Sequence, residues 1–459
     1  MGKSHFVLTP SARSWRKPAG RSWRIWLLPL FLLALFSSAF SALTQANRPV
    51  ILLEVSGPVT PAMASYFDRG IRAAEQQEAE ALVIQLDTPG GAIDTTQKIV
   101  QSFRSARVPV IMFIAPRGAQ AASAGSILTI AAHAAGMAPE TVIGAASPVG
   151  QDGSDVGETA FRKITEDLKA SARSLTERRG PEAVALAEAM IEEARAVNAS
   201  EALAIGLIDA VADDVPSLLR QLDGLTVIVA EQPITLRTAD APIQPYRMNA
   251  VEAILHALSN PVLVGILLAI GVQAILIEIS NPGGWVAGFL GVLFLALAFY
   301  GLGQLPANWF GLGLVLIAFV LFLLEVKTPV NGALAITGVI TLFAGFLVLF
   351  NSPGTPEFAR ISIGSAILLT LPTAAFFLFL VYMVARSQRS KPVTGSQGLV
   401  GQLGPVRQGI TTQPGGSRPT GTVLVQGELW RAEADEPIME GEEVEVTAVQ
   451  GFTLHVKRA

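Results

Sequence analysis

The run Ala81-Leu82-Val83-Ile84-Gln85-Leu86, closed by Asp87-Thr88-Pro89-Gly90-Gly91, decides how the first half of the chain is read. A short apolar run without helical period, bounded by turn residues, is a strand buried on both faces. Val50 to Val55 and Val108 to Ile114 repeat the pattern, and the stretches between them, 60 to 77 and 92 to 105, are helical and amphipathic. Strand, helix, strand, helix implies parallel strands joined by right-handed crossovers. An α/β domain is therefore expected over residues 43 to 235. Further helices are expected at Thr165 to Arg179, Pro181 to Glu193 and Ser200 to Gly206, with Pro181 where a helix start tolerates it.

Upstream, Lys3, Arg13, Arg16, Lys17, Arg21 and Arg24 precede the apolar run Ile25 to Phe36 and the small residues Ser37 to Ala42. Residues 1 to 42 thus read as an export signal, with an uncleaved anchor as the alternative. Downstream, Glu231 to Arg247 is extended and proline-bearing, and residues 236 to 260 read as a linker followed by an interfacial helix, Met248 to Leu258, carrying Glu252 and His256. The composition then changes. Pro261 to Ile279, Trp285 to Leu302, Trp309 to Leu324, Val330 to Phe350 and Ile361 to Ala385 are five apolar stretches of roughly spanning length, a membrane block over 261 to 385. This block and the signal carry much of the 51% hydrophobic content; only 15% of the 459 residues are charged. Five spans that start outside end inside, and Lys327, Arg386, Arg389 and Lys391 fall on that cytoplasmic side.

The block contains a repeat at an offset of 47 residues: Glu278-Ile279-Ser280-Asn281-Pro282 against Glu325-Val326-Lys327-Thr328-Pro329, and Gly291 against Gly338. The acids are either anchors at helix ends or a carboxylate pair for a partner or ion. Residues 395 to 459 alternate β-type runs with Gly/Pro turns: Leu399 to Leu403, Thr422 to Val425, Leu429 to Ala434, Glu443 to Val449 and Phe452 to Val456. Five short strands fit a small barrel of the OB type. Its acids, from Glu428 to Glu445, repel phosphate, so a protein-interaction module is expected and no nucleic acid.

Chemistry has few candidates. No cysteine excludes thiolate nucleophiles and cysteine metal sites, and there are only four histidines. Three loops of small residues follow strands: Asp87 to Gly91, Gly118-Ala119-Gln120-Ala121-Ala122-Ser123-Ala124-Gly125, and Gly144-Ala145-Ala146-Ser147-Pro148. Loops at the carboxyl ends of parallel strands are where such sheets bind ligands. Ser123 at a strand-to-helix turn suits a nucleophile beside an oxyanion hole, and equally a capping serine. His133, ten residues on, is roughly 15 Å away along a helix and reads as structural. The lysines are Lys98, inside an exposed helix, Lys169, and Lys163, which opens a long helix after the loop Gln151 to Asp155. A lysine base must be neutral, which desolvation or a helix N-terminus favours; Lys163 is either that base or a surface lysine.

The order Leu86-Asp87-Thr88-Pro89-Gly90-Gly91, Ala121-Ala122-Ser123-Ala124-Gly125, Met137-Ala138-Pro139 and Ile143-Gly144-Ala145 resembles the membrane-bound serine proteases of the NfeD long form, within the ClpP-type peptidases that include signal peptide peptidase A. The resemblance spans nearly the whole chain. It implies a ClpP/crotonase-like protease domain, an α-helical transmembrane block and an OB-fold-like C-terminal barrel. It implies a Ser-Lys dyad of Ser123 and Lys163, an oxyanion hole from the backbone of Gly90 or Gly91 with Ala124, and no metal or cofactor. Its implied substrates are apolar peptide segments, and its implied partners are stomatin-like membrane proteins, a lipid bilayer and a second copy of the chain, as a homodimer or higher oligomer. The protease domain is expected outside the plasma membrane and the barrel in the cytoplasm. Two other readings compete: a non-catalytic scaffold for stomatin-like partners, and a crotonase-type acyl-CoA enzyme, which an exported domain would rarely serve.

Overall fold

The structure is a computed structural model that describes Gly2 and residues 48–148, 157–280, 283–328, 332–352, 355–356, 359–389, 396–412 and 418–459. The export-signal reading lies outside these residues, as does the loop Gln151 to Asp155. In chain order the first elements are β1 (Val50–Ser56), α1 (Pro61–Gln76), β2 (Ala81–Asp87), α2 (Ile93–Ser105), β3 (Val110–Ile114), β4 (Gln120–Ala122), α3 (Ala124–Ala131), β5 (Ala134–Met137) and β6 (Val142–Gly144). They continue with α4 (Glu158–Thr176), α5 (Pro181–Glu192), β7 (Ala196–Asn198), α6 (Ala199–Ala204), β8 (Ala210–Val211), α7 (Val215–Leu222), β9 (Thr226–Val229), β10 (Gln232–Thr235) and β11 (Ile243–Pro245).

The main sheet has the order β11-β1-β2-β3-β5-β8, with every pairing parallel. Alternate residues of each strand point to opposite faces. Leu82, Ile84 and Leu86 of β2 enter one core with Met63, Phe67 and Phe103 of the covering helices, while Ala81 and Val83 enter another with Leu218 and Leu222. Both faces are thus buried, as the unbroken apolar strands require. A second sheet, β4-β6-β7, stands beside the first and carries the small-residue loops Gly118 to Gly125 and Gly144 to Pro148, while Asp87 to Gly91 follows β2 of the main sheet. This is the ClpP-like architecture the sequence leads us to expect. The stretch read as a linker is part of it: β11 pairs with β1, and its prolines are tolerated because the strand lies at the sheet edge.

After β11 come α8 (Ala250–Ala257), α9 (Pro261–Ser280), α10 (Val286–Leu302), α11 (Trp309–Lys327), α12 (Ala333–Phe350) and α13 (Ile363–Arg389). Four of them, α9, α11, α12 and α13 up to Met383, are long and apolar enough to cross a membrane; α10 is apolar but shorter, at 17 residues. The chain forms two compact units, divided near Trp309 with Leu349–Ile361 belonging to the first. In the first, Glu278 at the end of α9 accepts the N–H of Trp285 at 3.0 Å, and Gly291 of α10 packs where a Cβ would meet Ile275 at 2.9 Å. In the second, Glu325 at the end of α11 accepts N–H groups of Gly332 at 2.9 Å and Leu334 at 3.0 Å, and a Cβ on Gly338 would meet Phe322 at 2.8 Å. The contacts of Glu278 with Trp285 and of Gly291 with Ile275 correspond at the offset of 47 to those of Glu325 with Gly332 and of Gly338 with Phe322, and Trp285 and Gly332 share a positive φ, 46° and 88°. The repeat is therefore a helical hairpin whose outgoing helix is capped by the carboxylate of the incoming one. Glu325→Ala leaves two partly buried N–H groups short of this acceptor, so a loss of about 1–3 kcal/mol is expected, read as a lower melting temperature in detergent.

The C-terminal domain is β12 (Leu403–Thr411), β13 (Thr420–Val425), β14 (Glu428–Glu433), β15 (Glu443–Gln450) and β16 (Thr453–Arg458), a closed barrel in the order β12-β13-β14-β16-β15. Its first strand differs from the expected Leu399 to Leu403. Residues Ser396–Leu399 form a 3-10 turn, and the strand runs on through Gly404, Pro405 and Gly409, which hide it from a reading by β propensity.

Candidate active site

Ser123 sits between β4 and α3 with φ 51° and ψ −113°, a left-handed backbone for a residue with a side chain. The sharp turn is held from below: Ser123 N–H donates to the Gly144 carbonyl at 2.9 Å, and the Ser126 hydroxyl donates to the Ser123 carbonyl at 2.7 Å. Small neighbours make the turn possible. A Cβ on Gly125 would lie 2.5 Å from Thr88 Cγ2, and one on Gly90 would lie 2.7 Å from Ser123 Cβ. A strained strand-to-helix turn of this kind presents a side-chain hydroxyl at the mouth of a sheet. The side chain makes no N-cap hydrogen bond, so the capping-serine alternative is not the geometry found.

Ser123 opens on a cavity of about 290 Å³ whose walls are Ile93 and Val100 of α2, Ile127 of α3, Leu168 and Leu175 of α4, with Gly91 and Ala124 beside the serine. The N–H of Ala124 belongs to the first turn of α3, where helix donors are unpaired. Among the described residues nothing accepts the N–H of Ala124 or of Gly91, whereas the Gly90 N–H donates to Thr88 Oγ1 at 3.1 Å. Of the expected oxyanion donors, Gly91 and Ala124 are free, and Gly90 shapes the loop.

Lys163 is not brought to this cavity. The helix begins at Glu158, earlier than the sequence suggested, so Lys163 is its sixth residue and lies beyond the first turn. The residues of α4 that line the cavity are Leu168, Ser171 and Leu175. Lys163 projects from a different face, about 140° around the helix from Leu168, and is exposed. The polar lining is Thr96, Gln97, Gln101, Ser147 and Ser171, so among the described residues no titratable side chain lines the cavity. Gln97 and Gln101 are not among the candidates drawn from the sequence, although their spacing of four places them on one face of α2.

His133 is structural. Its Nδ1 accepts the Val110 N–H at 3.0 Å, and burial, with the charges of Arg178 and Arg104, pushes its pKa down to about 4. An unfolded histidine titrates near 6.5. Between those values the unfolded chain holds a proton that the folded one does not, so this contribution is complete above pH 6.5 and is lost as pH falls towards 4, by up to about 3 kcal/mol. The melting temperature of the detergent-purified chain is expected to drop over that window, and His133→Asn should flatten the drop.

Comparison with known proteins gives three family models along the chain: the NfeD1b N-terminal domain over residues 49–226, the NfeD integral membrane domain over 262–383, and the NfeD-like C-terminal, partner-binding domain over 396–458. The membrane-bound protease PH1510 of Pyrococcus horikoshii is 32% identical over 90% of this chain and 94% of its own length. The membrane protein NfeD1b of Bacillus subtilis is 26% identical over 95% and 99%. Among solved structures, the 1510-N membrane-bound stomatin-specific protease, a lysine-to-alanine mutant in complex with a substrate peptide, is 32% identical over 46% of this chain and 97% of that one, with a TM-score of 0.43. Matched by all three models and by a relative covered over nearly its whole length, the chain belongs to the NfeD family of membrane proteins.

Proposed function

We propose that the protein is a membrane-bound serine endopeptidase that cleaves apolar segments of stomatin-like membrane proteins. The observation that carries this is the left-handed turn at Ser123, which opens on an apolar-walled cavity beside two unpaired N–H groups, those of Ala124 and Gly91. A relative 32% identical over most of its length bears the name of a membrane-bound protease, and a solved N-terminal domain 32% identical to this chain is named as a stomatin-specific protease.

In this reading Ser123 Oγ attacks the peptide carbonyl as its proton passes to Lys163 Nζ. The oxyanion is held by the N–H groups of Ala124 and Gly91. Lys163 returns the proton to the leaving amine, and water then hydrolyses the acyl-serine. The cavity itself supplies no base, so one must come from outside it, and the leading half of α4 carries Lys163 on the helix that walls the cavity. Substrate binding brings that half over the serine; catalytic hydrogen bonds commonly tighten only in the substrate complex. The protease domain faces outward and the barrel inward, five spans connect them, and copies of the chain associate.

Incubation of the purified full chain with a peptide from a stomatin-like membrane protein tests the reading: cleavage that is lost in Ser123→Ala supports it. Cleavage by neither protein favours the scaffold reading, to which the exposed position of Lys163 also speaks.

A further inference from the structure

Helix α8, which leads into the first apolar hairpin, is fastened to the protease domain by a dense set of contacts. Asn249 and Glu252 form a reciprocal capping box at its start. Glu252, buried, also takes a forked hydrogen bond from Arg69 of α1, with Arg69 Nε 2.9 Å from Oε1. The Arg69 guanidinium lies 4.5 Å above the Tyr246 ring and donates to the Arg247 carbonyl at 2.8 Å. One turn beyond Glu252, His256 reaches into the turn between β1 and α1. Its Nε2 is 2.8 Å from the Ser56 carbonyl and its Nδ1 is 3.2 Å from Thr60 Oγ1. A carbonyl can only accept, so Nε2 carries the proton, and in the neutral ring Nδ1 accepts from the threonine hydroxyl.

The turn that His256 grips is the one that holds the oxyanion loop. Gly57 N–H donates to the Asp87 carbonyl at 2.9 Å, and Val59 N–H donates to the Gly90 carbonyl at 2.8 Å. Val59 and Gly91 are paired as a parallel bridge, so close that a Cβ on Gly91 would lie 2.3 Å from the Val59 carbonyl oxygen. Moving the Ser56–Thr60 turn therefore moves Gly90 and Gly91. Beyond the C-terminal end of α8, Leu258, and Val264 of α9, pack against Gly301 of α10, where a Cβ would meet Leu258 O at 2.8 Å and Val264 Cγ2 at 2.4 Å. The contact path runs unbroken from the α9–α10 hairpin through α8 and His256 to the oxyanion loop.

We propose that His256 is a positioning residue that sets the oxyanion loop Gly90–Gly91 through the Ser56–Thr60 turn, and so couples the helical hairpin to the proposed hydrolytic site. The proposal rests on the serine-hydrolase reading for its catalytic part, and on geometry alone for the mechanical part. A displacement of about 1 Å in such a loop costs up to about 100-fold in rate.

Two measurements on the full chain in detergent test it: kcat and KM for Ser123-dependent cleavage of an apolar peptide, and amide hydrogen exchange over residues 86–92. His256→Ala should lower kcat about tenfold or more with KM unchanged, and speed exchange over 86–92 but not over 81–85. His256→Gln, whose amide N–H can still reach the Ser56 carbonyl, should restore both. Unchanged exchange over 86–92 in His256→Ala overturns the proposal, as does a rise spread equally over 81–85, which would mark general destabilisation. If exchange changes as expected but Ser123→Ala leaves cleavage intact, the hydrolase reading falls and the catalytic part of the proposal falls with it.

Discussion

Replacing Ser123 by alanine is expected to lower kcat for an apolar peptide by about 10⁴-fold or more, with the fold intact and KM little changed. The substitution removes one oxygen and nothing else. Alanine keeps the Cβ that packs against Gly90, and the left-handed turn is held by backbone bonds to Gly144 and from Ser126. Lys163→Ala should cost a comparable factor, and the double variant should be no slower than either single one, because nucleophile and base act as a unit. Steady-state kinetics on the three variants decides this. An unaffected Lys163→Ala enzyme would reject that lysine and leave the serine in place, a separation the exposed position of Lys163 makes informative.

The second large effect is expected at Gly91. A methyl group there would lie 2.3 Å from the Val59 carbonyl oxygen and 2.8 Å from the Val59 nitrogen, both backbone atoms that no rotamer change can move. Gly91→Ala must therefore push the loop away from the β1–α1 turn and carry the Gly91 N–H out of register with that of Ala124. Loss of one oxyanion donor costs about 10²–10³ in kcat. The melting temperature should fall as well. Gly180→Ala is the control for backbone strain without a clash: its φ of 97° disfavours alanine, whereas the φ of Gly91 lies outside the left-handed region, and nothing lies within 4 Å of the added carbon. It should be destabilised by about 1–2 kcal/mol and keep its kcat. Equal kinetic loss in both variants would show that strain in general, not the oxyanion loop, limits turnover.

The sequence made some of this visible and hid the rest for physical reasons. Ala81 to Leu86 and Val108 to Ile114 were readable because a strand buried on both faces must be apolar throughout. Ser123 stood out because only small residues allow a turn as tight as the one between β4 and α3. The start of α4 did not, since Gly157 caps it without any side-chain hydrogen bond and the first turn carries no periodic apolar signal. An error of several residues there was enough to misplace Lys163 relative to the helix end. Strand β11 looked like a linker because Pro242 and Pro245 are unwelcome in the middle of a sheet, and only its edge position excuses them. The partners of Glu252 and His256 lie 183 and about 200 residues away in sequence, a pairing that no local pattern encodes.

The closure of the C-terminal barrel carries a consequence for recognition. Because β12 pairs with both β13 and β15, the sheet closes into a ring with no first or last strand, and its two shortest seams, β12–β15 and β14–β16, are paired over three residues each. A closed ring offers an extended peptide, or a second copy of the domain, much less free strand edge to join than an open sheet does. Closure thus shifts recognition towards side chains and loop tips, where Met439 and Phe452 stand exposed, and away from the backbone.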